Sequence, residues 1–159
     1  RCGPFPEDVM HGRKQSGTTT VEFAIVGAVV ITLLFAIIEF GRIIFTLSVL
    51  NEGARRAARV AAVCDVGNAA IANAAVFVTL PGLATSNVLT EYLDQDGAPL
   101  GDPSGGDYAS IRYVRVRIVG YSFGIAIPFI APVFTAPEFS STLPRESLGV
   151  PHFGAAPAC

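Results

Sequence analysis

The segment FAIVGAVVITLLFAII, residues 23–38, decides the fold, because sixteen consecutive residues carry no charge. Counted back to Thr18, and so including Glu22, the stretch has 21 residues. As an α-helix it measures roughly 30 Å, the thickness of the hydrocarbon core of a bilayer. Arg13 and Lys14 precede it, so the positive-inside rule predicts a cytoplasmic N-terminus and a body outside the cytoplasm. The sequence therefore predicts one N-terminal helix that spans a membrane.

The composition of the whole chain agrees with a membrane segment. Of 159 residues, 51% are hydrophobic and 15% are charged, and the mean hydropathy of +0.51 is too high for an ordinary cytosolic domain. This apolar content disfavours intrinsic disorder. Eleven Lys and Arg against thirteen Asp and Glu give a net charge of −2, which disfavours nucleic-acid binding because no basic surface is expected. The length allows one domain plus an appendage.

A cleaved secretory signal peptide is the first alternative to this helix. A cleaved secretory signal peptide needs a shorter apolar core followed by a small-x-small site. Here the core is followed by EFGRIIF, residues 39–45, which contains no such site, while an uncleaved signal anchor stays open. Met10 is the only methionine in the sequence, so translation starts there or the chain derives from a longer precursor.

A carboxylate at the start of the apolar run favours a more specific kind of protein over a plain membrane anchor. Glu22 is costly in hydrocarbon and needs a reason to be there, and it follows Gly17 by five residues. The pattern GTTTVEF, residues 17–23, resembles the processing site of type IV prepilins. In that family a dedicated peptidase cuts after the glycine, and the fifth mature residue is Glu. The resemblance implies a leader peptide over residues 1–17 and Thr18 as the new N-terminus.

Three further motifs resemble the TadE-like family, the minor pseudopilins of Tad (Flp) type IV pilus systems. They are VEFA at residues 21–24, IEFGR at residues 38–42 and ARRAAR at residues 54–59. The resemblance extends from Met10 to about Val63. Thr18 departs from the large apolar first residue of related mature chains, which leaves its N-methylation open.

The resemblance implies a function in assembly. A TadE-like chain would sit in the bacterial inner membrane as a single-pass protein, be cut by prepilin peptidase and take part in building a Tad pilus. Its partners would be other pilin and pseudopilin subunits, the peptidase, the inner-membrane assembly platform and the bilayer. The residues implied in assembly are Glu22, Phe23, Glu39 and Arg42. The alternatives are an uncleaved membrane-anchored envelope protein, a type II secretion pseudopilin and a released binding module.

The predicted fold class is α+β, with a small antiparallel sheet packed on the distal half of a long N-terminal helix. No proline occurs between Pro6 and Pro81, so one helix can run from Thr18 to about Cys64. One of the threonines at residues 18–20 is expected to cap the start of this helix. The carboxylate of Glu22 is expected to be stabilised by the positive end of the helix dipole.

The chain divides into a hydrophobic helix, residues 18–50, and an extracytoplasmic pilin-like domain, residues 51–159. Beyond Asn51 the helix carries alanines at helical spacing, a face narrow enough to pack closely against a sheet. These alanines are Ala54, Ala57, Ala58, Ala61 and Ala62. Later segments predict a short helix at 69–79 and strands at 86–93, 110–119 and 138–143, of which 110–119 alternates most clearly.

Charged residues along the helix have two interpretations each. Glu39 and Arg42 are three residues apart and can pair. The pair either marks the end of the bilayer core or bridges subunits inside a filament. Arg55, Arg56 and Arg59 form either a solvated face or a docking patch for a partner.

The segment Tyr121 to Phe134 is unusually apolar for a connection. It includes Phe123, Ile125 and Phe129 and is interrupted by prolines. It either folds over the sheet to complete a small core or exposes an apolar patch to a neighbouring subunit or the membrane surface.

Two cysteines remain once a leader containing Cys2 is removed. In an oxidising compartment Cys64 and Cys159 are a disulfide candidate, and the alternative is two buried or free thiols.

No residues predict an enzyme, a cofactor or a metal site. The acidic residues around 91–107 do not have EF-hand spacing, so a solvated turn is preferred to calcium binding. His11 and His152 lack the neighbours that a zinc or catalytic site needs.

Overall fold

A computed structural model describes residue 3, residues 17–125 and 133–150, and residue 159. Its order of elements is α1 (Thr18–Val63), α2 (Ala69–Ala75), β1 (Val88–Leu93), β2 (Tyr113–Ile118), β3 (Ser122–Gly124), β4 (Val133–Thr135) and β5 (Phe139–Pro144). Short 3-10 turns precede β1 and β2 at Thr85–Asn87 and Tyr108–Ser110. The predicted α+β class, with a long N-terminal helix and a small antiparallel sheet, is confirmed.

Helix α1 has two halves with different surroundings. It is 46 residues long, and its most apolar window of 18 residues has a mean hydropathy of 2.7 and no buried residue. By length and composition this helix can cross a membrane. In the second half, one face is buried by the domain from Thr46 onward.

The start of α1 differs from the sequence prediction. Gly17 occupies the N-cap position with φ of 125°, and no side chain caps the helix. The predicted threonine cap is therefore wrong, because residues 18–20 are already helical. Glu22 lies past the first turn, which contains no acidic residue.

The main sheet is antiparallel and has the strand order β1-β2-β5. Val88 pairs with Ile118, and Ile118 pairs with Phe139 on the other side. The inner side chains of β2 are buried against the alanine face of α1, as the small-residue spacing predicted. Fully buried residues at this contact include Ala54, Ala57, Ala58, Ala61, Val114 and Val116.

Helix α2 crosses α1 closely and is shorter than predicted. It ends at Ala75 rather than Thr79, and Asn68 caps its start by accepting from the Ala70 amide at 2.9 Å. A Cβ atom on Gly53 would lie 2.5 Å from the carbonyl oxygen of Ala75. Gly53 therefore permits an approach of the two helices that alanine would obstruct.

Strands β3 and β4 form a second, two-stranded sheet that the sequence did not predict. Phe123 pairs with Phe134 across it, and Phe123 is buried whereas Val133 is 72% exposed. Phe123 therefore belongs to the core, whereas a contact of the exposed side chains with a neighbouring subunit or the membrane stays a prediction. Residues 126–132, which include Phe129, lie outside the described residues.

An ion-pair ladder crosses the outer face of the main sheet. Arg117 of β2 donates to Glu138 at 2.6 Å and to Glu91 of β1 at 2.7 Å. Arg117 thereby holds the pKa of the Glu138 carboxyl below its ordinary value. These groups are partly exposed, so each pair contributes little alone.

We expect Arg117→Gln to weaken the dependence of stability on pH. Because the pKa of folded Glu138 is lowered, the pair stabilises the chain above about pH 4, and that stabilisation is lost as pH falls through the lowered pKa. Urea unfolding of the full chain in zwitterionic detergent, at neutral pH and at about pH 3, measures the difference. Arg112→Gln is the control, since Arg112 donates to the carbonyls of Ala109 and Ile111. Equal pH dependence in both variants would contradict the assignment.

Candidate functional site

The predicted site residues lie at separate levels along α1 and do not form one pocket. Gly17, Thr18, Glu22 and Phe23 lie at its start, and the Glu39–Arg42 pair follows about 26 Å further along the axis. Cys64 is at the opposite end. The candidate site is therefore the whole helix. Its parts are a predicted processing end at residues 17–23, an exposed apolar stretch at residues 23–38 and a junction with the domain at Glu39 and Arg42.

The processing end is open to its surroundings. Thr18, Glu22 and Phe23 are exposed, and Phe23 is 78% exposed. Gly17 accepts a hydrogen bond from the Val21 amide at 3.1 Å through its carbonyl, and its φ of 125° lies where side chains are strained. The described part of the domain therefore does not cover Gly17 or Thr18.

The following stretch is apolar on every side. Its large apolar side chains are at least 43% exposed at positions all around the helix, which no single groove in a soluble partner would cover. Among them are Ile25, Val26, Val30, Leu34 and Phe35. A bilayer, or a ring of neighbouring helices, is the environment that covers all faces at once.

The predicted Glu39–Arg42 pair forms where the apolar run ends. Arg42 donates through Nε and Nη2 to Oε2 of Glu39 at 3.0 and 2.8 Å. Glu39 is only 6% exposed, while the Arg42 side chain is 42% exposed. Nη2 of Arg42 also donates to the carbonyl of Gly124, at the end of β3. The pair therefore joins α1 to the second sheet, a link that residue spacing on one helix could not reveal.

An aromatic cluster surrounds this junction. The guanidinium carbon of Arg42 lies 5.8 Å from the ring centre of Phe123. Phe123 lies 5.9 Å from the Tyr121 ring and 5.4 Å from the Phe134 ring. Tyr121 donates to the carbonyl of Pro81 at 3.1 Å, and burial raises the pKa of its hydroxyl. The cation thus rests on a packed aromatic surface.

The far end of α1 is tied down by the C-terminal part of the chain. The predicted disulfide between Cys64 and Cys159 is present, with a Cα–Cα distance of 5.8 Å. The amides of Glu146 and Gly149 donate to the carbonyls of Ala62 and Val63 at 3.0 and 2.6 Å. These donors satisfy carbonyls that the end of a helix leaves unpaired.

One of the three basic residues beyond the junction, Arg56, is held by local partners. Arg56 donates to Glu52 at 2.9 Å and lies 4.0 Å from the ring centre of Phe77. The hydrogen bond from Arg56 lowers the pKa of Glu52. Arg55 and Arg59 are exposed. A docking patch at these residues stays a prediction.

The acidic loop binds its own backbone. Asp94 accepts from the amides of Asp96 and Ala98, both at 2.9 Å, and Asp107 accepts from the amide of Asp102 at 3.0 Å. Within residues 17–125 and 133–150, no group of three or more ligating side chains could hold a metal ion. This geometry agrees with a turn organised by carboxylates.

These features define a class of protein: a small α+β domain carried on one helix that is long and apolar enough to span a membrane. The sequence model of the family described as TadE-like protein matches residues 17–59, which confirms the resemblance over that segment. The matched region begins at the predicted processing glycine and ends on the buried half of α1, and the family points to an association with the Tad pilus system. No curated protein and no solved structure shows significant similarity to the chain.

Proposed function

We propose that the protein is a minor pseudopilin of a Tad pilus, matured by prepilin peptidase at the Gly17–Thr18 bond. The observation that carries the proposal is the coincidence of three features at one point. The family match begins at Gly17, α1 begins at Thr18, and Glu22 is the fifth residue of the helix. A permanent membrane anchor would not require a glycine, a helix start and a glutamate at these relative positions.

The exposed helix supplies the assembly mechanism. Before assembly its apolar surface is covered by lipid, with the basic residues before Gly17 in the cytoplasm and the domain outside. During assembly the same surface exchanges lipid for the helices of neighbouring subunits, under the action of the inner-membrane platform. Glu22 then requires a cationic partner, because a buried unpaired carboxylate is costly. The new amine of Thr18, on the same or a neighbouring chain, supplies it.

We expect Gly17→Val to abolish maturation. A valine side chain is strained at φ of 125°. It also has to fit into a peptidase site that is specific for glycine. Intact mass and N-terminal sequencing, with and without co-expressed prepilin peptidase, measure the cut. Gly27→Ala is the control, because it lies on the same helix and a Cβ there meets no atom within 4 Å. An unchanged N-terminus in the parent chain beside an active peptidase would overturn the proposal and favour a permanent anchor.

A further inference from the structure

The β3–β4 hairpin presents apolar side chains beside the end of the membrane-spanning run. Val133 is 72% exposed and Phe134 is 40% exposed, although both lie next to the buried Phe123. We propose that the two strands of this hairpin, β3 and β4, lie in the interfacial layer of the bilayer that α1 spans and contact phospholipid there. The inference rests on the membrane-inserted state in the proposed function, and it adds a second contact between the domain and the membrane.

The position of Arg42 along α1 sets the depth of the hairpin in the bilayer. The charge-free run ends at Ile38, and Arg42 follows four residues later, which is about 6 Å along the axis. A bilayer has a core of about 30 Å within a total of about 40–45 Å, so the headgroup layer on each side is roughly 5–7 Å thick. If the run fills the core, Arg42 lies within the headgroup layer.

The hairpin is fixed at that same depth. Gly124 accepts from Arg42, and the Phe123 ring links Arg42 to Phe134. Between β2 and β3 the chain runs along α1 toward the N-terminus of that helix, since Ile118 lies beside Gly53 whereas Gly124 lies beside Arg42. Eleven helical residues separate those two levels, which is about 16 Å. Strand β3 therefore carries the chain toward the membrane.

Lipid is the occupant that fits this surface. The Arg42 guanidinium is partly exposed at the level of the phosphates, where the long cationic side chains near the end of a membrane-spanning helix reach the interface and aromatic side chains form a belt. Exposed apolar residues of α1 lie within and beyond the ion pair, with Phe40 66% exposed and Phe45 56% exposed. The hairpin thus extends a surface that already faces lipid. Apolar side chains at this depth are stabilised when they are buried about 5–10 Å into the boundary between headgroups and acyl chains.

Tryptophan fluorescence gives a direct test, because the chain contains no tryptophan. The full chain with Val133→Trp is reconstituted into vesicles of phosphatidylcholine and phosphatidylglycerol, with or without phosphatidylcholine brominated on its acyl chains. We expect blue-shifted emission, strong quenching by the brominated lipid and an iodide quenching constant several-fold below that of Tyr113→Trp. Tyr113 is the matched control, since it is 40% exposed on the outer face of β2, far from the junction.

A third variant separates this inference from the proposed function. Phe35→Trp places the probe within the apolar run, so brominated lipid must quench it if the chain is inserted. No quenching of that variant would overturn both proposals. Quenching of Phe35→Trp together with iodide-accessible Val133→Trp would overturn the hairpin contact alone. Shielding of Val133→Trp from both quenchers would show a protein neighbour at the hairpin, which also overturns the lipid contact.

Discussion

Removal of the disulfide by the double substitution Cys64→Ser and Cys159→Ser is expected to lower the free energy of unfolding by about 2–5 kcal/mol. The bond closes a loop across a sequence separation of 95 residues. Chain-entropy arithmetic for a loop of that size gives about 4–5 kcal/mol, because the unfolded chain loses most freedom when a long loop is closed. Urea unfolding of the full chain in detergent, followed by circular dichroism, measures the change in midpoint.

The double variant should still fold, because other bonds hold the end of α1. The hydroxyl of Ser147 donates to the carbonyl of Val63 at 3.0 Å, alongside the backbone donors from residues 146–149. Reduction of the parent chain should reproduce the shift, and Cys2→Ser should leave the midpoint unchanged. Identical midpoints for the oxidised parent and the double variant would show that the bond does not stabilise the domain.

Much of the fold could be predicted because its signals are local. The charge-free run and the absence of proline predicted α1 to within one residue of its end at Val63. Alternation of apolar and charged residues predicted β2, and the alanine spacing predicted which face of α1 meets the sheet. Each of these signals depends on the period of one element, and the sequence displays such periods directly.

The parts that sequence could not predict depend on contacts between distant residues. Arg42 donates to the carbonyl of Gly124, 82 residues away. Because every residue has a backbone carbonyl, the sequence does not identify which one accepts this bond. The short strands β3 and β4 pair across only three positions each, too few for alternation to be recognised. Predicted helix 69–79 was too long because alanine content favours helix but does not fix where it ends. Phe77 instead lies under the Arg56 guanidinium.

Gly53 shows the same limit on a single residue. In sequence it is one of three glycines within α1, with Gly27 and Gly41. Its spacing of four from Ala57 places it on the alanine face, but does not show which element it contacts. In the structure it is buried against α2, whereas a Cβ on either of the others meets no atom within 4 Å. The identity of the crossing helix, and hence the role of this glycine, exists only in the tertiary structure.

Gly53→Ala is expected to destabilise the domain although it improves helix propensity. The new methyl group would lie 2.5 Å from the Ala75 carbonyl oxygen and 3.4 Å from Cδ1 of Ile118. A backbone atom cannot move aside as a flexible side chain can, so α2 must shift away from α1. Overpacking of this kind costs about 1–3 kcal/mol. The gain in propensity, at most about 1 kcal/mol, offsets part of that cost.

Gly41→Ala isolates the packing cost from the propensity gain. Gly41 is exposed on the same helix, so its substitution carries the propensity term without a clash. The free energy of unfolding of Gly53→Ala should therefore fall below that of Gly41→Ala by about 1–3 kcal/mol in the same detergent. Amide exchange should accelerate in α2 of the first variant and not of the second. If the two variants are equally stable, α2 does not press on α1 at Gly53, and the close crossing of the two helices is wrong.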